Sequence, residues 1–406
     1  MATLTTTKEW DAIPFSDCLL KVHIGRGKQI KEKDYSKSGL YPVVDQGQSF
    51  IAGYTNDEKK VISDIQPFII FGDHTRVLKY IDFPIALGAD GTKVIKPKSD
   101  FDVKYFFYSL KYIDVPSRGY NRHYTILKEK NIAHPALTEQ KAIAQTLTTV
   151  QNAITEQEKL VQKLKELKKS MMQHLFTFGT RGGKTKETEI GEMPESWELT
   201  TVKNAIERSI IEKPIDGNHG NIHPKSRDFV SEGIPFVMAS NLVGNKVDIE
   251  NCHFISKVQA DKLQKGFSYE GDILLSHKAT IGRTAVVHDL KTEYIMLTPQ
   301  VTYYRVKDSK KLLNYFLRHF FDSSYFQKEL KRIAGDGSTR AYIGILKQQI
   351  LPIVLPPMSE QKEITEVLDA IDDKIELTEQ KLSSYQELFK TLLHELMSGE
   401  RRIKNI

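Results

Sequence analysis

Leu137-Thr138-Glu139-Gln140-Lys141 recurs as Met358-Ser359-Glu360-Gln361-Lys362, at an offset of 221 residues. From each copy, residues continue along the chain at alternating steps of four and three. In the second copy they are Ile364, Leu368, Ile371, Ile375, Thr378, Leu382, Tyr385, Phe389, Leu392 and Leu396. In the first they are Ile143, Leu147, Val150, Ile154, Gln157, Val161, Leu164, Lys168, Met171 and Leu175. This alternation keeps one stripe of a helix apolar and is the a/d seam of a coiled coil. Neither segment contains proline or interior glycine, so each is expected to be one long helix. At ~1.5 Å per residue the second seam makes a rod of about 48 Å, too long to bury in one compact domain. Such a rod reads as a spacer.

The charges between the seam positions suggest how the helices meet. The first is basic late in its length (Lys163, Lys165, Lys168, Lys169). The second is acidic early (Glu363, Glu366, Asp369, Asp372, Asp373). Antiparallel pairing brings these stretches opposite each other. Exposed pairs add little stability, but their pattern can select an orientation. Gln157 and Thr378 hold equivalent polar positions in the seam and are expected to fix its register.

What the rod separates is also duplicated. Trp10 and Trp197, the only tryptophans, each open a block. The blocks close alike, with Arg122-His123-Tyr124 before Ile126-Leu127-Lys128 in one and Arg340-Ala341-Tyr342 before Ile345-Leu346-Lys347 in the other. Between these ends they have diverged, as expected of related modules with different ligands. Short β-type runs (Tyr41 to Val44, Ile65 to Phe71, Ile234 to Met238, Ile273 to Ser276, Val301 to Val306) alternate with turns. Helices are expected at Lys104 to Lys111, Val258 to Leu263 and Lys311 to Leu330. Gly179, Gly182 and Gly183 end the first long helix, and Thr180 to Glu195 reads as a polar linker. The fold class is therefore mixed, α+β. Two α/β domains (1–136 and 196–357) alternate with two long helices (137–179 and 358–400), the linker being 180–195. The helices form an antiparallel coiled coil with an internal pseudo-twofold repeat.

Composition excludes several classes. With 27% charged and 40% apolar residues the chain is ordinary globular material,. It has no apolar run of 18 residues, and Met1 to Lys8 lacks the apolar core of a signal peptide. A cytoplasmic protein without a membrane span is expected. Two cysteines, Cys18 and Cys252, build neither a disulfide framework nor a cysteine-rich zinc site,. The net charge of +6 suits a polyanionic partner without proving one,. No Asn-Pro-Pro or Asp-Pro-Pro motif is present to hold a flipped adenine. Gly179-Thr180-Arg181-Gly182-Gly183-Lys184-Thr185 falls one residue short of a phosphate loop and follows a helix instead of a strand. Glu166-Leu167-Lys168, a fragment of nuclease metal sites, lies on the coiled coil as a solvated face. His219, His223, Cys252 and His253 are spaced poorly for zinc, so no metal is expected.

In order along the chain, these residues resemble the specificity subunit of a type I DNA restriction-modification system. The resemblance covers essentially the whole length. It is carried by Pro135 to Lys141 and Pro356 to Lys362 at the helix entries, and by Ile190-Gly191-Glu192-Met193-Pro194-Glu195-Ser196-Trp197. Further carriers are Gly233-Ile234-Pro235-Phe236 with Asn241-Leu242, Gly271-Asp272-Ile273-Leu274-Leu275-Ser276 with Thr280-Ile281-Gly282-Arg283, and Gly335-Asp336-Gly337-Ser338-Thr339-Arg340. The first domain departs from the pattern, with Phe71-Gly72-Asp73-His74 where the second has Gly271-Asp272-Ile273.

The resemblance implies a subunit that catalyses nothing itself. Each globular domain is implied to be a target-recognition domain reading one half of a split, asymmetric duplex DNA site through the major groove. The paired helices are implied to set the unspecified gap, with half-site centres about one turn (~10 bp) apart. They also dock two methyltransferase subunits, and up to two ATP-dependent translocase-nuclease (restriction) subunits can join. S-adenosylmethionine, ATP and Mg are expected only on those partners, and no cofactor on this chain. The competing reading is the recognition portion of a fused methyltransferase-nuclease enzyme, against which the missing catalytic motifs argue.

Lys21, Arg26, Lys28, Lys31 and Lys33, with glycines at 25 and 27, form a basic stretch suited to phosphates. Arg118, Asn121, Arg122 and His123 are candidate DNA contacts, with Ser338, Thr339 and Arg340 as their counterparts. Arginine matches guanine, and asparagine or glutamine matches adenine, through bidentate major-groove bonds. Gln46, Gln48, Arg76, Asn241, His277, Lys278 and Arg283 complete the candidates.

Overall fold

A computed structural model describes residues 10–88, 91–117, 119, 121–278, 280–335 and 342–403. The chain divides into two compact units, residues 1–158 with 380–406, and residues 159–379. Each unit contains a mixed α/β domain and part of both long helices, which run Leu137–Phe178 and Met358–Ser398. Along both helices every position of the four–three repeat is buried or half-buried. Within each unit the helices meet antiparallel. In the first, Ile143 and Leu147 share a core with Leu396 and Met397. In the second, Met172, Leu175 and Phe176 share one with Ile364 and Leu368.

The first unit closes its domain by pairing strand Asp11–Pro14 antiparallel with Asn131–His134. Between them, Tyr41–Val44 lies parallel to Ile85–Gly88. Phe68–Gly72 pairs antiparallel with both Leu78–Ile81 and Thr92–Ile95. Helix Val103–Tyr112, capped by the Asp102 carboxylate accepting from Tyr105 N (2.9 Å), presses Tyr105 and Phe106 into the core,. The second unit repeats this plan. Glu198–Thr201 pairs with Pro352–Leu355, and Ile234–Val237 runs parallel to Ile295–Leu297. Ile273–Ser276 pairs antiparallel with Thr284–Val286 and Val301–Tyr304.

The repeated Glu-Gln-Lys signature seats each domain on its helix. Gln140 Oε1 accepts from Asp102 N (2.8 Å), while its Nε2 donates to the Asp100 and Pro135 carbonyls (3.0 and 2.9 Å). Gln361 does the same with Leu313 N, Lys311 O and Pro356 O (each 2.9 Å). The preceding glutamate takes the tryptophan. Trp10 Nε1 donates to Glu139 (3.4 Å) and Trp197 Nε1 to Glu360 (2.9 Å). The same carboxylates bind the chain just past the other helix: Arg402 reaches Glu139 (2.7 Å), and Thr180 N reaches Glu360 (2.9 Å).

Several expectations need correction. Residues 185–194, expected as linker, form the hairpin Thr185–Thr188 with Gly191–Pro194, because Ile190 and Met193 find places in the core beside Trp197. The helix expected from 311 to 330 is two helices, Asn314–Asp322 and Ser324–Ala334. Extended Ser323 breaks it and caps the second with its hydroxyl on Phe326 N. Thr378 does not reach across to fix register; its hydroxyl donates back to Lys374 O (2.6 Å) in its own helix,. The charge complementarity is also redistributed. Lys168 pairs with Asp372 (2.6 Å) and Lys165 with Glu379 (2.7 Å), but Asp369 faces Arg318 and His319 of the domain. Among the described residues, no helix is long and apolar enough to cross a membrane.

Candidate nucleic-acid interface

In each domain several of the described candidates lie on or beside the tip of one hairpin. In the first it joins Phe68–Gly72 to Leu78–Ile81. Gly72 is required there, since a Cβ would lie 2.1 Å from the Thr75 hydroxyl and 3.0 Å from the Gln46 side chain. The tip fastens neighbouring segments. His123 N donates to Asp73 O (2.8 Å), Tyr124 N to the Asp73 carboxylate (2.8 Å), and Arg76 to Val115 O (2.9 Å). Arg76 adopts a left-handed backbone (φ 62°), a conformation costing a non-glycine residue about 1 kcal/mol or more,. Its amide donates to Gly72 O (2.8 Å), which closes the turn.

The second domain has the same clasp. Ile343 N donates to His277 O (3.0 Å), and His277 N to Gln300 O (2.9 Å). The tip between Ile273–Ser276 and Thr284–Val286 is gripped by Gln327, whose Nε2 donates to Gly282 O (2.9 Å). Gly282 has φ 90°, and a Cβ on it would lie 2.3 Å from Gln327 Oε1. Thus the tip and the segment that precedes the last strand form one surface in both domains.

Six candidates are exposed on or beside these tips: Gln48, Arg76, Asn121, Arg122, Lys278 and Arg283. Gln46 is half-buried, its Oε1 accepting from His74 N (3.1 Å). Lys278 bridges to Tyr342 and stands 5.9 Å over its ring. Arg283 touches Ala239 O (3.4 Å). In the basic stretch, Lys21, Lys31 and Lys33 are exposed, whereas half-buried Lys28 points its ammonium at Val61 O (3.5 Å). Arg118, Ser338, Thr339 and Arg340 lie outside the described residues, as does the side chain of Arg26.

A family model described as the type I restriction modification DNA specificity domain matches residues 10–169 and 209–384. The chain belongs to this family. It is 26% identical to the type I restriction enzyme MjaVIII specificity subunit of Methanocaldococcus jannaschii, over all of this chain and 96% of that one. To the putative MjaX specificity subunit of the same organism it is 30% identical, over 69% of this chain and 61% of the relative. The fold matches the S subunit of a type I restriction-modification system from M. genitalium with a TM-score of 0.66, over 98% of both chains at 14% identity. A chain from a structure titled for complex assembly and conformational transition of the type I system gives 0.51, over 98% of this chain and 100% of that one, at 17% identity.

Within this type I specificity fold, three candidates turn out to be structural. His123 is buried, its Nδ1 2.9 Å from Asp73 O. Because a carbonyl only accepts, that nitrogen carries the proton. His277 is buried likewise, with Nδ1 2.9 Å from Ile343 O and Nε2 without a partner among the described residues. Burial pulls its pKa below the ordinary histidine value,. Asn241 is buried and closes its own turn, accepting from Met238 N (3.0 Å) and donating to Asn251 O (3.2 Å). Their side chains bond to backbone groups of the domain itself and shape the surface from within.

The histidines and cysteine weighed for zinc are scattered in purpose. His219 pairs with Asp216, His223 meets Asn218 O, Cys252 donates to Asp248 O, and His253 stacks on Phe229. Elsewhere, His319, Asp369 and Asp372 bring three ligand atoms close together. Arg318 and Lys168 already neutralise these carboxylates, which leaves little attraction for a cation,. Burial raises the Asp372 pKa, but Lys168 and Arg318 outweigh it and hold the carboxyl below its ordinary range.

The sequence alone does not disclose two structural features. The Gln140 and Gln361 clamps were visible as repeated letters, but their three-way bonding to backbone was not. Buried Lys79 is legible only through its two-residue spacing from Ile81, which puts both on the inward face of one strand,.

Proposed function

We propose that this chain reads a bipartite, asymmetric duplex DNA target and assembles the modification subunits of a type I system on its paired helices. Each domain offers one hairpin tip and its clasped segment to a major groove, where arginine and amide side chains match base edges. Lysines of the basic stretch meet phosphates. Two methyltransferase subunits, joined by up to two restriction subunits, bring S-adenosylmethionine, ATP and Mg. The specificity subunit itself turns nothing over, and the long helices set the gap between half-sites. The observation that carries the reading is the repeated tip-and-clasp geometry in two otherwise diverged domains, each seated through the same tryptophan, glutamate and glutamine.

The test is copurification from the native host followed by sequencing of modified bases. A methyltransferase that travels with the chain, together with a two-part modified motif lost on deletion of its gene, is expected. Turnover by the purified subunit alone, abolished by a point substitution within it, would overturn the non-catalytic role.

A further inference from the structure

Lys79 lies on the second strand of the first domain's hairpin and is 3% exposed. Its ammonium donates to Asp45 O (2.9 Å) and Ser49 O (2.6 Å), and stands 3.8 Å from Asp45 Oδ1. The two carbonyls lie at the start and in the middle of the loop that joins strand Tyr41–Val44 to strand Gly53–Thr55. Burying an ammonium is costly, and one carboxylate at that distance is a poor recompense. Burial accordingly pulls its pKa below the ordinary lysine value, with Asp45 opposing. Carbonyls of an exposed loop are ordinarily left to water. Here a cation from beneath gathers both, which fixes the loop from inside.

The hairpin tip grips the same loop from the side. The Thr75 hydroxyl donates to Gln46 O (2.5 Å) and His74 N donates to Gln46 Oε1 (3.1 Å), while within the loop Gly47 N donates to Asp45 Oδ1 (2.8 Å). These bonds engage the Gln46 carbonyl and its Oε1, and Gln48 lies exposed beyond it. The second domain has a weaker hook, since exposed Arg283 reaches only Ala239 O at 3.4 Å.

We propose that Lys79 is a positioning residue for base readout in the first domain, holding residues 45–49 so that the Gln48 amide meets a base edge in the major groove. Adenine is the base whose edge an amide matches with two bonds. The inference rests on the DNA reading proposed above for this domain.

The experiment compares the modified motif in cells carrying the whole system with wild-type, Lys79→Met or Gln48→Ala specificity subunit. Lys79→Met and Gln48→Ala should relax the same position of one half-site, lowering preference for its base about tenfold, and leave the other half unchanged. An even drop in modification with the motif intact would make Lys79 a merely structural residue and overturn the proposal. So would relaxation at a position that Gln48→Ala does not affect, or no effect of Gln48→Ala at all. If Lys79→Met fails to accumulate, Asp45→Ala releases Gly47 N of the same loop and must relax the same base. Absence of any bipartite modified motif in wild-type cells would overturn the DNA reading itself, and the role of Lys79 with it.

Discussion

His277 shows how one side chain ties stability to pH. Its Nδ1–H is committed to Ile343 O, so a second proton must go to Nε2, which is buried without an acceptor among the described residues. The folded pKa therefore lies below the unfolded value of about 6.5,. Between those two values the unfolded chain binds more protons, so stability falls as pH drops below about 6.5. His319, also lowered by burial, acts in the same direction. Urea unfolding followed through Trp197, with Trp10 replaced by phenylalanine, should show the second unit weakening from pH 7 to 5.5. His277→Asn keeps an N–H for the carbonyl and should flatten part of that slope. An unchanged slope would place the titrating group elsewhere. Gln361 offers a different test at this scale. Gln361→Ala strips partners from Leu313 N, Lys311 O and Pro356 O, and should cost the second unit about 2–4 kcal/mol,. Gln140→Ala should do the same to the first unit.

At the scale of elements, the two domains use different chemistry on the same helices. Helix Val103–Tyr112 approaches without an acidic partner, with the Tyr108 hydroxyl on Thr148 (3.1 Å), Phe389 beside its ring and Lys111 donating to Gln151 (3.4 Å). Helix Asn314–Asp322 instead plants Arg318 among Asp322, Asp369 and Asp372 at 2.9–3.2 Å, and Asn245 adds a bond to Asp372 (2.9 Å). Removing one member of a buried charge network strands the others. Arg318→Ala should therefore destabilise the second unit by about 3–5 kcal/mol in urea unfolding. The Asp372 carboxyl, held low, contributes stability above the unfolded carboxylate value near 4 and loses it as pH falls through its folded value,. Arg318→Ala should shrink this acid limb. A loss under 1 kcal/mol would mean that solvent already screens the cluster.

For the whole molecule, the consequence of two repeated domains is separable specificity. Replacing residues 1–136 with the equivalent block of another family member should change one half of the modified motif and spare the other, as read by methylome sequencing. If both halves change together, the domains do not read independently. By itself the sequence determined the long helices, their seam and the duplication, because an apolar period of 3.5 and a repeated signature are local patterns written residue by residue. It also marked the neighbourhoods of both hairpin tips. It could not say which polar side chains there face outward. His123, His277 and Asn241 have the composition of base readers, yet their partners are carbonyls and amides remote in sequence or hidden in a turn. Lys79 looks like a surface lysine until strand pairing puts it under a loop 30 residues earlier. Asp369 reads as a partner for the facing helix's lysines, but Arg318 and His319 of the domain take it. Those choices belong to the tertiary structure, because burial and hydrogen-bond partners arise only when distant segments meet, and the same residue is a reader outside the clasp and a rivet within it.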